Sequence, residues 1–205
     1  MIDTHFKLYP AAYWKYLAAI ALFGIGNSSN SFLILQTKSL GASLTVTILI
    51  YAAFNLIAAL TSYPAGSLSD RLGRKNLLLM GFTIFFITYL GFALTHNLVL
   101  IAALFVLYGM FQGVFRAVGK ALATDLVPQT LRASGIGWYS TTIGLLQLVA
   151  SIVAGVLWDK VSHNAVFLYG AIFAIIGTIA LLLLVQDKST VAQSRSFAQA
   201  HKHKS

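Results

Sequence analysis

Long apolar runs alternate with short polar gaps along this chain. The runs extend from Tyr13 to Leu35, Val46 to Leu68, Leu77 to Thr95, Leu98 to Leu122, Leu131 to Leu157 and Ala165 to Val185. Each is close to the about 20 residues that a helix needs to cross the hydrocarbon core of a bilayer. The pattern therefore predicts six transmembrane helices and an all-α membrane fold. His96 and Asn97 leave so little chain between the third and fourth runs that these spans are predicted to be antiparallel neighbours. In the first run Asn27, Ser28, Ser29, Asn30 and Ser31 interrupt the apolar residues, and Leu33, Ile34 and Leu35 resume them. That resumption argues for a span over a cleaved signal peptide, and Gly24 and Gly26 leave room for a bend that exposes backbone. From Gln186 to Ser205 the composition turns to Ser, Gln, Lys and His, which reads as a solvated, disordered tail. The expected organisation is an N-terminal segment 1–12, a membrane domain 13–185 and a basic tail 186–205.

Composition narrows the picture. Hydrophobic residues make up 58% of the 205 and charged residues 9%, which leaves too little polar surface for a water-soluble globule. Cysteine and glutamate are absent, so disulfides and cysteine metal sites are excluded. The net charge of +9 does not point to nucleic acid, because the basic residues lie in the gaps between apolar runs rather than on one soluble face. Lys7, Lys15, Arg71, Arg74, Lys75, Arg132, Lys188, Arg195, Lys202 and Lys204 fall on the side of the N-terminus, with Lys120 snorkelling there, against Lys38 and Lys160 opposite. The positive-inside rule then predicts a multi-pass protein of the cell (inner) membrane with both termini cytoplasmic.

Polar side chains within spans are costly in hydrocarbon, so their placement tells which helices face water or protein. Asn27 and Asn30 lie in the first span, Asn55 in the second, Gln112 and Arg116 in the fourth and Gln147 in the fifth. The third and sixth spans carry no such residue, which predicts four helices around a cavity and two toward lipid. Tyr108, Gln112, Arg116 and Lys120 recur every four residues and form a polar stripe on one helix face, suited to an anionic or polar solute. Headgroup contact or pairing with Asp125 is the competing reading for Arg116 and, more so, for Lys120. Tyr51 and Asn55 share the same spacing in the second span. Ser140, Thr141 and Thr142 add hydroxyls in the fifth, where bonding to their own helix carbonyls is the simpler expectation. Gly109 with Gly113, and Ser151 with Gly155, make small-residue steps that favour close helix packing. No pair of carboxylates, histidines or cysteines converges within the spans, so no catalytic or metal site is expected and the chain does not read as an enzyme. The His201 to Lys204 tail has weak metal-binding chemistry but reads better as solvated.

Splitting the chain into two sets of three spans reveals a repeat. Ala65, Gly66, Leu68 and Asp70 end the second span, and Ala154, Gly155, Leu157 and Asp159 end the fifth in the same order and spacing. An odd number of spans separates the copies, so they fall on opposite membrane faces, as an inverted three-plus-three repeat requires.

The loop after the second span reads Gly66-Ser67-Leu68-Ser69-Asp70-Arg71-Leu72-Gly73-Arg74-Lys75. Asp70 at a helix end can pair with arginine, Gly73 permits a tight turn, and Arg74 with Lys75 fixes the loop at the surface. This pattern closely resembles the signature loop of the major facilitator superfamily. The resemblance implies one six-helix half of a twelve-helix secondary transporter, with Gly66, Asp70, Arg71, Gly73, Arg74 and Lys75 gating the contact between halves. The segment Asp125-Leu126-Val127-Pro128 with Arg132, Gly135 and Gly137, and the absence of proline between Arg132 and Val185, look like the C-terminal half. Implied function is movement of a small solute by alternating access, and the substrate-cavity candidates are Asn27, Asn30, Tyr51, Asn55, Tyr108, Gln112, Arg116 and Gln147. The expected partners are a small-molecule solute, membrane lipid and a second six-helix half or a homodimer partner, with no nucleic acid. No cofactor is implied. Proton coupling stays open, and with no carboxylate in any span its carrier would fall to the other half. Arg116 favours an anion and the aromatics allow an amphipathic, drug-like molecule. The alternative is a non-transporting remnant or regulatory protein that retains the half-transporter fold.

Overall fold

The structure, a computed structural model, describes residues 8–185. The tail reading, including its histidines, lies outside the described residues, as do positions 1–7. Helices α1 (Ala11–Gly26), α2 (Ser31–Ser39), α3 (Leu44–Leu72), α4 (Arg74–Leu94), α5 (Leu98–Asp125), α6 (Arg132–Lys160) and α7 (His163–Leu184) follow in order. A single 3₁₀ turn, Gln129–Leu131, precedes α6, and no strand occurs among the described residues. Taken together, α1 and α2 make one span and the other long helices five, so six stretches are long and apolar enough to cross a membrane.

The first span departs from the expected continuous helix. Residues 27–30 are not helical, because Gly26 and the run of Asn and Ser compete poorly for helix and bond locally instead. Partners on other helices satisfy the backbone freed by the break. Tyr169 Oη on α7 donates to Ile25 O at 2.8 Å, and Ser29 N donates to Ser151 Oγ on α6 at 3.0 Å.

Short, chemically defined connections set the topology. Asn97 Oδ1 accepts from Val99 N at 2.8 Å and caps α5, so α4 and α5 form the tight hairpin expected from sequence. Ser43 and Ser162 cap α3 and α7 in the same way. Gly73 turns between α3 and α4 at φ +88°, a conformation that side chains with a Cβ rarely adopt.

The main packing partners are α3 with α5, α4 with α5, α4 with α7, α1 with α7 and α1 with α6. Exchanging the first three spans for the last three maps these pairings onto one another, which is the inverted repeat seen in three dimensions. Small residues make the contacts close. A Cβ on Gly109 would lie 2.9 Å from Phe54 O, one on Gly113 2.7 Å from Ala58 O, and one on Gly177 2.5 Å from Phe23 Cβ. Both steps of the Gly109 and Gly113 pair therefore serve the α3–α5 seam. An aromatic column fills the centre: Phe23 stacks on Phe82 and Phe85 on Tyr89, each at 3.9 Å between centroids.

Burial overturns the expected placement of the third and sixth spans on the outside, toward lipid. The third span is 50% buried over its most apolar window, whereas the second and fifth are 17% and 11% buried. The spans without strongly polar residues thus hold the packing together, and α3 and α6 leave the broadest faces uncovered. Lipid and protein interior are both apolar, so the lack of polar residues in a span does not by itself place it on the outside.

Candidate functional site

The broken first span, α5 and α6 enclose a cavity of about 240 Å³ lined by Asn27, Asn30, Gln112, Phe115, Arg116, Lys120, Tyr139, Ser140, Ile143, Gly144 and Gln147. Spacing builds its walls. Gln112, Arg116 and Lys120 are successive four-residue steps on α5, and Tyr139, Ile143 and Gln147 make the same steps on α6, so each helix presents one continuous face. Asn27 and Asn30 come from the break in the first span, where the chain leaves the helix and returns.

Amides and hydroxyls at the break form a small network. Tyr108 Oη donates to Asn30 Oδ1 at 2.7 Å, while Gln112 Nε2 lies 3.2 Å from Tyr108 Oη and 3.4 Å from Asn30 Oδ1. Tyr108 is fully buried and stacks on Phe54, so its hydroxyl positions Asn30 from behind the cavity rather than facing the open space. Asn27 Oδ1 is buried and has no hydrogen-bond partner among the described residues, whereas the buried Tyr139 hydroxyl lies against that of Tyr16. An unmet group such as Asn27 Oδ1 in an apolar surrounding is costly and marks where a ligand or water would be held.

Arg116 and Lys120 lie on the exposed side of α5 facing this space. The pairing with Asp125 considered for them is not formed. Arg74 takes that carboxylate, with Nε donating to Asp125 Oδ2 at 2.8 Å and Nη2 reaching Asp70 Oδ1 at 3.5 Å. Lys75 Nζ donates to Leu182 O at 3.1 Å. The signature loop therefore ties together the ends of α3, α4, α5 and α7. Asp70 and Asp125 stand at helix C-termini, where the helix dipole disfavours negative charge, and the guanidinium between them offsets that cost. Gly66 and Arg71 sit at the same end of α3, where Gly66 O accepts from Ser69 Oγ at 2.6 Å and Arg71 lies in the open.

Of the sequence candidates, Asn27, Asn30, Gln112, Arg116 and Gln147 line the cavity and Tyr108 supports it. Tyr51 and Asn55 do not line it. Both are exposed on α3, and Asn55 Nδ2 donates to Tyr51 O of its own helix at 2.8 Å. Four-residue spacing groups residues on one face but does not say which face meets the cavity. Ser140 reverses the simpler expectation: its hydroxyl makes no hydrogen bond to its own helix among the described residues, and it lines the wall. Lys120, which the sequence places on the polar stripe with headgroup contact as the favoured reading, lines the wall, as does Tyr139, which the sequence reading does not single out although the stripe 139, 143, 147 carries the signal. No cluster of metal-binding side chains occurs among the described residues.

The Major Facilitator Superfamily profile matches residues 16–205. An uncharacterized MFS-type transporter of Methanocaldococcus jannaschii is 35% identical over 184 residues, covering 87% of this chain and 46% of the relative. Quinolone resistance protein NorA of Staphylococcus aureus is 28% identical over 157 residues, covering 76% of this chain and 40% of that protein. An MFS-type transporter of Metarhizium rileyi, ppzB, is 32% identical over 135 residues, covering 66% and 28%. The chain thus spans less than half the length of these relatives. With the matching profile, the six apolar spans and the signature loop in place, the chain belongs to the Major Facilitator Superfamily.

Proposed function

We propose that this chain is one six-helix half of a secondary transporter, the C-terminal one, which moves a small solute by alternating access. The observation that carries the reading is the polar cavity at the break of the first span. Asn27, Asn30, Gln112, Arg116 and Gln147 converge there within the apolar bundle, where strongly polar groups are retained at a cost in stability. Its open side awaits a second surface. The relatives match this chain over less than half their length, which supports a partner of similar size, either a second half or another copy of the chain.

Rocking of two such bodies would expose the cavity to each side in turn. The signature loop supplies the contact that such motion makes and breaks. Arg74 engages Asp125 within this chain, while the Asp70 side chain stays 67% exposed and available to a helix end of the other body. A carboxylate at a helix N-terminus is worth about 0.3 to 1 kcal/mol when exposed and up to about 2 when partly buried, enough to bias two conformations without locking either. With both termini cytoplasmic, this loop lies on the cytoplasmic side and the cavity reaches toward it.

The experiment is solute flux in proteoliposomes containing this chain alone or co-reconstituted with a matching N-terminal six-span half. Flux that requires both supports the half-transporter reading. Robust flux from the lone chain, lost in Asp70→Ala, replaces it with a homodimeric carrier.

A further inference from the structure

We infer that the cavity's share in this chain selects small organic anions that carry a hydrogen-bond donor at the end remote from the acid. The inference rests on the cavity being the solute site. Arg116 and Lys120 both line it, and neither is ion-paired among the described residues. The chain contains five acidic residues in all, and no carboxylate lines the cavity. Asp70 and Asp125 are engaged by Arg74, and Asp159 lies at the end of α6 remote from Tyr139 and Ser140. Two cations against an apolar bundle, without a counter-charge of their own, favour an anionic group and repel a cationic one.

The other end of the cavity asks for a different group. Asn30 Oδ1 already accepts from Tyr108, but Asn27 Oδ1 is buried and unmet, so a hydroxyl or N–H of the solute satisfies it. Gln112, at the amide end, precedes Arg116 by one helical turn and Lys120 by two, so the acidic group and the donor stand about 6 to 12 Å apart. Phe115 and Ile143 supply the apolar wall between them. A cavity of 240 Å³ fits a molecule of one ring or a short chain.

The test uses the full chain in lipid nanodiscs and equilibrium binding of radiolabelled 4-hydroxybenzoate and of radiolabelled tyramine. Unlabelled benzoate and methyl 4-hydroxybenzoate compete. The expected result is binding of 4-hydroxybenzoate, with benzoate and the methyl ester each weaker by about tenfold and tyramine weaker still, as loss of a charge-assisted or buried hydrogen bond implies. Arg116→Gln should weaken 4-hydroxybenzoate by about tenfold while Arg116→Lys retains most of it, and Asn27→Ala should erase its advantage over benzoate. Tyramine or the methyl ester binding as well as 4-hydroxybenzoate overturns the anion inference and leaves the solute site standing. Absence of binding by any of the four probes overturns the site and the inference together. Equal binding by a monodisperse Arg116→Gln chain assigns the arginine to lipid headgroups and also overturns the inference.

Discussion

Replacing Arg74 with glutamine removes the tie between the ends of α3 and α5, and the two halves of that tie should be unequal. Arg74 Nε meets Asp125 Oδ2 at 2.8 Å, with the two side chains 27% and 33% exposed, whereas the contact to Asp70 is 3.5 Å and the Asp70 side chain is 67% exposed. A hydrogen bond to a charged group is worth about 1.5 to 3 kcal/mol when sheltered, and partial solvent access brings this one to about 1 to 2 kcal/mol. An exposed pair four residues apart on a surface is worth about 0.3 to 0.5 kcal/mol. Losing Arg74 also leaves two carboxylates at helix C-termini against the dipole, which adds to the cost. Thermal unfolding in detergent, followed by circular dichroism, should therefore show a lowered midpoint of a few degrees, at about 2 to 4 °C per kcal/mol for a chain of this size. Double-mutant cycles separate the terms. The Arg74→Gln and Asp125→Asn cycle should give a coupling of about 1 kcal/mol or more, and the Arg74→Gln and Asp70→Asn cycle less than about 0.5. A larger coupling to Asp70 than to Asp125 would refute the assignment of Arg74 as an intrachain tie.

Three further outcomes follow from the packing. Gly113→Val should destabilise by about 1 to 3 kcal/mol, because a Cβ there lies 2.7 Å from Ala58 O and 2.8 Å from Thr61 Cβ, whereas Gly137→Ala, with nothing within 4 Å, should stay within about 0.5. Thermal midpoints of the two variants compare them directly, and equal midpoints would count against the close α3–α5 seam. Tyr108→Phe removes the donor 2.7 Å from Asn30 Oδ1 and should cost about 1 kcal/mol in the same melt. Gly73→Ala forces a Cβ into φ +88° and should cost about 1 to 3 kcal/mol, seen as a lower midpoint and as faster proteolysis at the α3–α4 turn.

Particular residues show what the sequence carries and what it does not. Spans are legible because hydrocarbon sets a minimum length of apolar chain, and the α4–α5 hairpin is legible because His96 and Asn97 leave so little chain between two runs. Gly109 and Gly113 are legible as packing because close backbone approach requires small side chains at that spacing. The Arg74–Asp125 pair is not legible, since the partners come from different helices and the sequence offered Arg116 and Lys120 as nearer alternatives for Asp125. The polar stripe on α5 is legible as a stripe. That Tyr51 and Asn55 miss the cavity is not, because an amide can satisfy itself on its own helix. The break at residues 27–30 was open as a bend, but its hydrogen bonds to Ser151 and Tyr169 depend on α6 and α7 being in place.

The central claim is that α5, α6 and the broken first span enclose a water-reached solute site while α4 does not border it. The chain has no cysteine, so single cysteines can be introduced without removing native ones. The measurement is the labelling rate of cysteines at Gln112, Ser140, Thr83 and Thr88 by a charged, membrane-impermeant maleimide in right-side-out and inverted vesicles. Gln112 and Ser140 line the cavity, Thr83 faces outward on α4 with its hydroxyl on Leu79 O, and Thr88 is fully buried. The account predicts that Gln112 and Ser140 label from at least one side and that Thr83 and Thr88 label from neither. Labelling of Thr83 as fast as Gln112 would contradict it.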